Sequence, residues 1–166
     1  MSRNADDSWG PRYSVQVPGP ELFKAQVLPL LASTTGVHHW NEIAINASGL
    51  DHTPVAPAEN RVFGEQLGPA RAARAMAIVH IAIFDVVNAI TGGYQSYTGI
   101  PRVLAGTSMN AAIAQTAHDT LVALFPSQRT TFDAFAADDL SRIPDGLGKV
   151  NGIVVSCACP LTRRSA

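Results

Sequence analysis

Charge is scarce in this sequence. Asp, Glu, Lys and Arg make up 15% of the 166 residues, with a formal net charge of -1, against about a quarter in ordinary soluble domains. The twelve Lys and Arg form no dense basic run, so the electrostatic footprint of a nucleic-acid binder is missing and nucleic acid is not an expected partner. Cysteine is rarer still, with Cys157 and Cys159 alone. Two thiols cannot make a disulfide framework, and a single C-x-C has no second half for a closed zinc site. The opening MSRNADDSWGPRYSVQVPGP has no apolar h-region and so no secretory signal, which leaves localisation open. The longest apolar runs, between Ala75 and Ile90, are broken by His80 and Asp85. They fall short of the roughly 20 residues a bilayer span requires, so a membrane is not expected either. Nucleophile elbows, P-loops and dinucleotide fingerprints are absent, as is strand alternation bounded by hairpin turns.

What is present is apolar, at 46% of residues, and helical in its spacing. Residues 1–19 read as an extended Pro- and Gly-containing arm with Trp9 and Tyr13 as anchors. Residues 20–155 read as one helical bundle, and 156–166 as an atypical tail. Within the bundle, Pro20 to Ser33 predicts a short helix ended or kinked by Pro29. His38 to Ser48 repeats Trp40, Ile43, Ala44 and Ala47 at i, i+3, i+4, i+7, and a Pro-rich connection follows from Gly49 to Asn60. A long helix starts near Pro69 and stops before Gly92-Gly93. Tyr94 and Tyr97 in the next loop are placed to cover a bundle end. A helix capped by Thr107 or Ser108 carries Ile113, Ala114, Ala117, Leu121 and Leu124 to Pro126. Another, capped by Ser127, puts Phe132, Phe135, Ala136 and Leu140 on one face. A last helix begins near Gly146. The expected class is all-α.

The stretch FGEQLGPARAARAMAIVHIAIFDVVNAI (63–90) reads as a helix buried on almost every side, yet it carries Arg71, Arg74, His80, Asp85 and Asn88. Arg71, Arg74, Ile78, Ile81, Asp85 and Asn88 step by 3-4-3-4-3 and share a stripe. Arg74 and Asp85 lie about 16 Å apart along it and cannot pair, so each must find partners on other helices or in solvent. His80 falls on another face with Ala73, Ala77, Phe84 and Val87. His80 and Asp85, at i, i+5, point about 140° apart and share no ligand without a third element. Helix-holding polar groups are therefore the expectation here, rather than a reaction centre.

The other candidates are short matches. His38-His39 opens a helix, where a surface or capping role fits. Asp51-His52 lies in the Pro-rich connection, where a turn fits better than a ligand pair. Asn46-Ala47-Ser48 is a glycosylation acceptor only in an exported protein. His118-Asp119 is the two-letter dyad of HD-type metal phosphohydrolases, a chemistry needing further ligands, for which His80 and Asp138 or Asp139 are available.

Three runs taken together resemble the N-terminal half of bacterial vanadium-dependent haloperoxidase-like proteins, in the type 2 phosphatidic acid phosphatase superfamily. They are HWNEIAINASGLDHTP, FGEQLGPARAARAMAIVHIAIFDVVNAITGGYQSY and AHDTLVALFPSQRTTFDAFAADDLSRIPDG. The likeness spans about Val37 to Val155. It implies an all-helical fold of two four-helix bundles in which the second bundle holds vanadate or phosphate. The family's motif runs Lys, Arg-Pro, Pro-Ser-Gly-His, then Ser-Arg followed by His, and its cations and donors neutralise the oxyanion. Here Pro126-Ser127 continues as Gln128-Arg129, Ser141-Arg142 leads to Ile143-Pro144, and there is no Arg-Pro pair. No catalytic, cofactor-binding or metal residue is carried over, and the expectation is a scaffold piece inactive by itself. The abrupt change at SCACPLTRRSA predicts a frameshift or premature stop near Val155-Ser156, with an ordinary frayed tail as the alternative. The expected partner is the missing C-terminal half, or a second copy, through exposed apolar helix faces. A self-contained helical binding module is the rival reading, and an HD-type phosphohydrolase the third.

Overall fold

The computed structural model describes residues 36–57 and 59–157, the side chain of Cys157 excepted. The predicted arm, the Pro20–Ser33 helix with Pro29, and Cys159 with the rest of the tail lie outside the described residues. Five α-helices follow in order, numbered over the described residues: α1 (Gly36–Asp51), α2 (Pro69–Thr91), α3 (Met109–Leu124), α4 (Arg129–Ser141) and α5 (Leu147–Cys157). A 3-10 turn (Pro126–Gln128) joins α3 to α4. Among the described residues there is no strand, and the class is all-α.

α3 is the hub, packed against each of the other four helices. Its sequence explains why: Ala111, Ala112, Ala114 and Ala117 let neighbours come close all round, while Ile113, Leu121 and Leu124 fill the space between. Ten of its sixteen residues are buried. Ser108, in an extended conformation, caps it by accepting from the Ala111 amide, as the Ser-x-x pattern predicts. Two apolar clusters lie on it. One joins Trp40, Ile43 and Ala47 of α1 to Ala75, Val79 and Ile83 of α2, Leu121 of α3 and Phe132 of α4. The other joins Ala82, Val86 and Ala89 of α2 to Ile100, Ala112 and Val155.

α2 is less enclosed than its composition suggests. Ala75, Val79, Ala82, Ile83, Val86 and Ala89 are buried, but Arg71, Ala73, Arg74, Ala77 and His80 are exposed. By length and composition it can cross a bilayer, with a mean hydropathy of 1.6 over an 18-residue window. That corrects the expectation from uninterrupted runs, because two polar residues do not lower the average far enough. The same pattern belongs to a core helix, and 44% of the window is buried within the protein.

α4 is the least embedded helix described, with Phe132 and Ala136 as its buried residues. Phe135, expected on the inner face, is 38% exposed, and its ring meets His39 edge-on with centroids 5.9 Å apart. Tyr94 and Tyr97 do not cover a bundle end. Both rings are about three-quarters exposed and lean on Phe84, at 6.0 and 5.8 Å.

α5 runs alongside α3 through a glycine seam. Ser108 N donates to Gly148 O at 2.9 Å, and a Cβ on Gly152 would lie 2.5 Å from Ser108 O and 2.8 Å from Ala111 Cβ. One turn on, Ser156 is fully buried, so the helix continues past the boundary read at Val155. Leu147, Val150 and Val154 face away at 80%, 53% and 60% exposure. Gly152→Ala improves helix propensity by about 1 kcal/mol but places a methyl against backbone that cannot yield, at about 2–3 kcal/mol, the upper part of the usual overpacking cost. The clash wins, and we expect a net loss of about 1–2 kcal/mol in urea unfolding. An unchanged or raised midpoint would contradict the seam.

Candidate functional site

Most of the polar residues singled out in the sequence have a definite partner, and for Asp51, His52, Asp85 and Asn88 that partner is backbone. Asp51 is the last residue of α1 rather than part of a loop, and is fully buried. Its Oδ1 accepts from the Glu65 amide at 2.7 Å and its Oδ2 from the Gln66 amide at 2.9 Å. His52 beside it accepts from the Gly68 amide on Nε2 (3.1 Å) and meets Ser48 O with Nδ1 (2.8 Å). Since the carbonyl can only accept and the amide only donate, the ring proton sits on Nδ1. Arg61 completes this corner. Its guanidinium donates to the carbonyls of Leu50 in the last turn of α1 and of Thr53 and Pro54 just beyond it, where orphan carbonyls and the helix dipole favour a cation.

The FGEQLG segment then ties the corner to the α3–α4 turn. Glu65 accepts from Ser127 N (3.1 Å) and Ser127 Oγ (2.8 Å). Gln66 donates to Leu124 O at 3.0 Å and accepts from Arg74 at 3.3 Å. Buried Gln128 donates to Ala47 O at 3.0 Å. Ser127, expected to cap α4 with its own oxygen, instead donates to Glu65, and α4 has no side-chain cap bond at its start. Neither Glu65 nor Gln128 was read as a site residue, because partners 62 and 81 positions away leave no local pattern.

Asp85 repeats the device of Asp51. It is fully buried and accepts from Tyr97 N (2.8 Å), Thr98 N (2.7 Å) and Thr98 Oγ1 (2.6 Å). Burial pushes this carboxyl up, but the bonds from Thr98, Tyr97 and Ser96 outweigh it and hold the pKa below its ordinary 3.8. Asn88 holds the same loop by both atoms of its amide, to Tyr94 O (2.9 Å) and Tyr94 N (3.1 Å). The stripe ending at Asp85 and Asn88 therefore finds partners in the loop that follows its own helix, rather than on other helices or in solvent as expected.

The HD-type constellation does not assemble. His80 Nε2 pairs with Asn41 Oδ1 at 3.0 Å, bridging α2 to α1. Asp138 pairs with Arg142, and Asp139 accepts from Trp40 Nε1 at 2.9 Å, with His39 at 3.8 Å. His118 instead joins two carboxylates, Asp119 at 2.8 Å through Nδ1 and Asp133 of α4 at 2.6 Å through Nε2. Asp119 also accepts from Gln115 (2.8 Å) and Ser156 (3.3 Å). Among the described residues, no three His, Cys, Asp or Glu are placed to hold a metal ion. His38 and Asn46 are exposed. Thr116 Oγ1 is the one buried side-chain polar atom without a hydrogen-bond partner among the described residues.

The two local likenesses to the oxyanion motif do not fit an anion. Ser127 is engaged by Glu65 and Arg142 by Asp138, so carboxylates sit where a phosphate or vanadate would need cations and donors. Comparison with family models, curated proteins and solved structures finds no significant match.

Asp85→Asn should cost about 2–3 kcal/mol at neutral pH, because an amide cannot accept all three donors. A carboxyl whose folded pKa is depressed contributes stability above its unfolded value that is lost as pH falls through the folded one. The difference between wild type and variant should therefore shrink below about pH 4. Stability curves that stay parallel into acid would refute this role for Asp85.

Proposed function

We propose that residues 37–155 act as a scaffold: the supporting half of a vanadium-dependent haloperoxidase-like or acid phosphatase-like enzyme, which holds helices in place and leaves the oxyanion to other residues. The observation carrying this reading is where the resemblance-bearing polar residues are engaged. Glu65 and Gln66 of FGEQLG, Asp85 and Asn88 of the long helix, and Ser127 of LFPS each hold a helix end or a loop. Such side chains set the shape of a domain and are not available to bind a substrate. The outward stripe Leu147, Val150 and Val154 on α5 supports a further body packed beside this one. It equally favours a second reading, a self-contained helical module that docks a partner there.

Two measurements test the proposal. The purified chain, given vanadate, peroxide and bromide, should oxidise no bromide above the protein-free rate, and measurable vanadate-dependent turnover would end the scaffold reading. Translating the encoding DNA past codon 155 in the other two frames should reveal a continuing amphipathic helix and, later, Pro-Ser-Gly-His. Without that motif, and with a monodisperse chain that unfolds cooperatively, the self-contained module becomes the better account.

A further inference from the structure

We propose that α4 is a pH-sensitive flap, latched to α3 by the imidazolium of His118 and loosened when that ring loses its proton. The argument begins with donors and acceptors. Both ring nitrogens face carboxylate oxygens, Asp119 Oδ1 at 2.8 Å on α3 itself and Asp133 Oδ1 at 2.6 Å on α4. An ionised carboxylate only accepts, and a neutral imidazole has one donor and one lone pair. Only the protonated ring satisfies both contacts. On deprotonation, one nitrogen turns a lone pair toward a carboxylate, and the three groups together go from a charge of -1 to -2. Asp119 cannot turn away freely, because Gln115 of α3 donates to its Oδ1 at 2.8 Å. The strain therefore falls on Asp133, which is half-exposed, and on the helix that carries it.

α4 is the helix that can respond. Phe132 and Ala136 are its buried residues, with Leu140 packed partly against the same core, so less apolar area opposes its opening than that of α1, α2 or α3. Its root is fixed, with Ser127 held by Glu65 and Gln128 by Ala47 O. Its far end is tied by Asp139, which accepts from Trp40 Nε1 and has His39 at 3.8 Å. Opening about the 3-10 turn would uncover the Trp40 side of the core. The Asp119 hydrogen bond raises the His118 pKa above its ordinary 6.5, burial opposes the rise, and Asp133 adds to it. A raised folded pKa gives a contribution that is complete below the unfolded value and lost as pH climbs through the folded one. The latch is thus closed in mild acid and released toward alkaline pH.

The test is amide hydrogen exchange across α4, corrected for intrinsic rates, from about pH 5.5 to about pH 9, with the His118 ring titrated by NMR in the same sample. We expect His118 to titrate above 6.5. Protection of the α4 amides should fall over that titration, by a total factor of about ten for each unit of pKa elevation. The amides of the α3 centre should not follow it. Asp133→Asn, a change at a half-exposed site, should keep the fold and flatten the α4 pH dependence. His118→Gln should give low α4 protection at every pH. A His118 that titrates below 6.5, α4 protection indifferent to that titration, or a pH response unchanged in Asp133→Asn would each overturn the latch.

Discussion

The architecture rests on a buried carboxylate that collects consecutive backbone amides. Asp51 at the end of α1 and Asp85 near the end of α2 are both fully buried. Each accepts two successive N–H groups from the loop that follows its helix. A carboxylate taken from water is tolerable only when its lone pairs are filled, and a folded-back loop supplies donors that nothing else would satisfy. The charge and the loop therefore require each other. In both cases an arginine further along helps close the helix end, Arg61 on Leu50 O and Arg102 on Thr91 O. Glycine is needed at one of these points: Gly92 has φ 72°, and a Cβ there would collide with the Arg102 guanidinium.

These corners set the heights at which the helices meet α3. The loop held by Asp51 delivers Glu65 and Gln66 to the α3–α4 turn. The loop held by Asp85 delivers Ile100 to the second apolar cluster. On the remaining side, the glycine seam of α5 brings backbone to backbone against Ser108. α4 has none of these reinforcements along its length. It is fastened at its root, at Asp139 and at His118, so polar contacts carry a larger share of its attachment than of any other helix described.

This distribution bears on function. The tightly held polar residues, Asp51, Glu65, Asp85, Asn88 and Ser127, hold shape. Exposed apolar side chains include the α5 stripe of Leu147, Val150 and Val154, and the aromatic Tyr94 and Tyr97. Both features accord with the supporting role and the α4 movement proposed above.

The all-α class, the bounds of α2, a cap for α3 at Thr107 or Ser108 and the buried faces of α1 and α3 were all legible in the sequence, since each depends on neighbours within one or two turns. Helical periodicity also separated Asp85 from His80. It did not show that α2 keeps an exposed face from Arg71 to His80, because alanine suits buried and exposed helix surfaces alike. Nor did it show that Asp51 ends a helix, that Phe135 turns outward, or that Asp133 rather than His80 meets the His118-Asp119 dyad. The contacts behind the last three join positions from 14 residues apart, Asp51 and Glu65, to as distant as His39 of α1 and Phe135 of α4. Local sequence determines which backbone groups a helix end leaves open, whereas only the packed chain decides which distant side chain arrives to fill them.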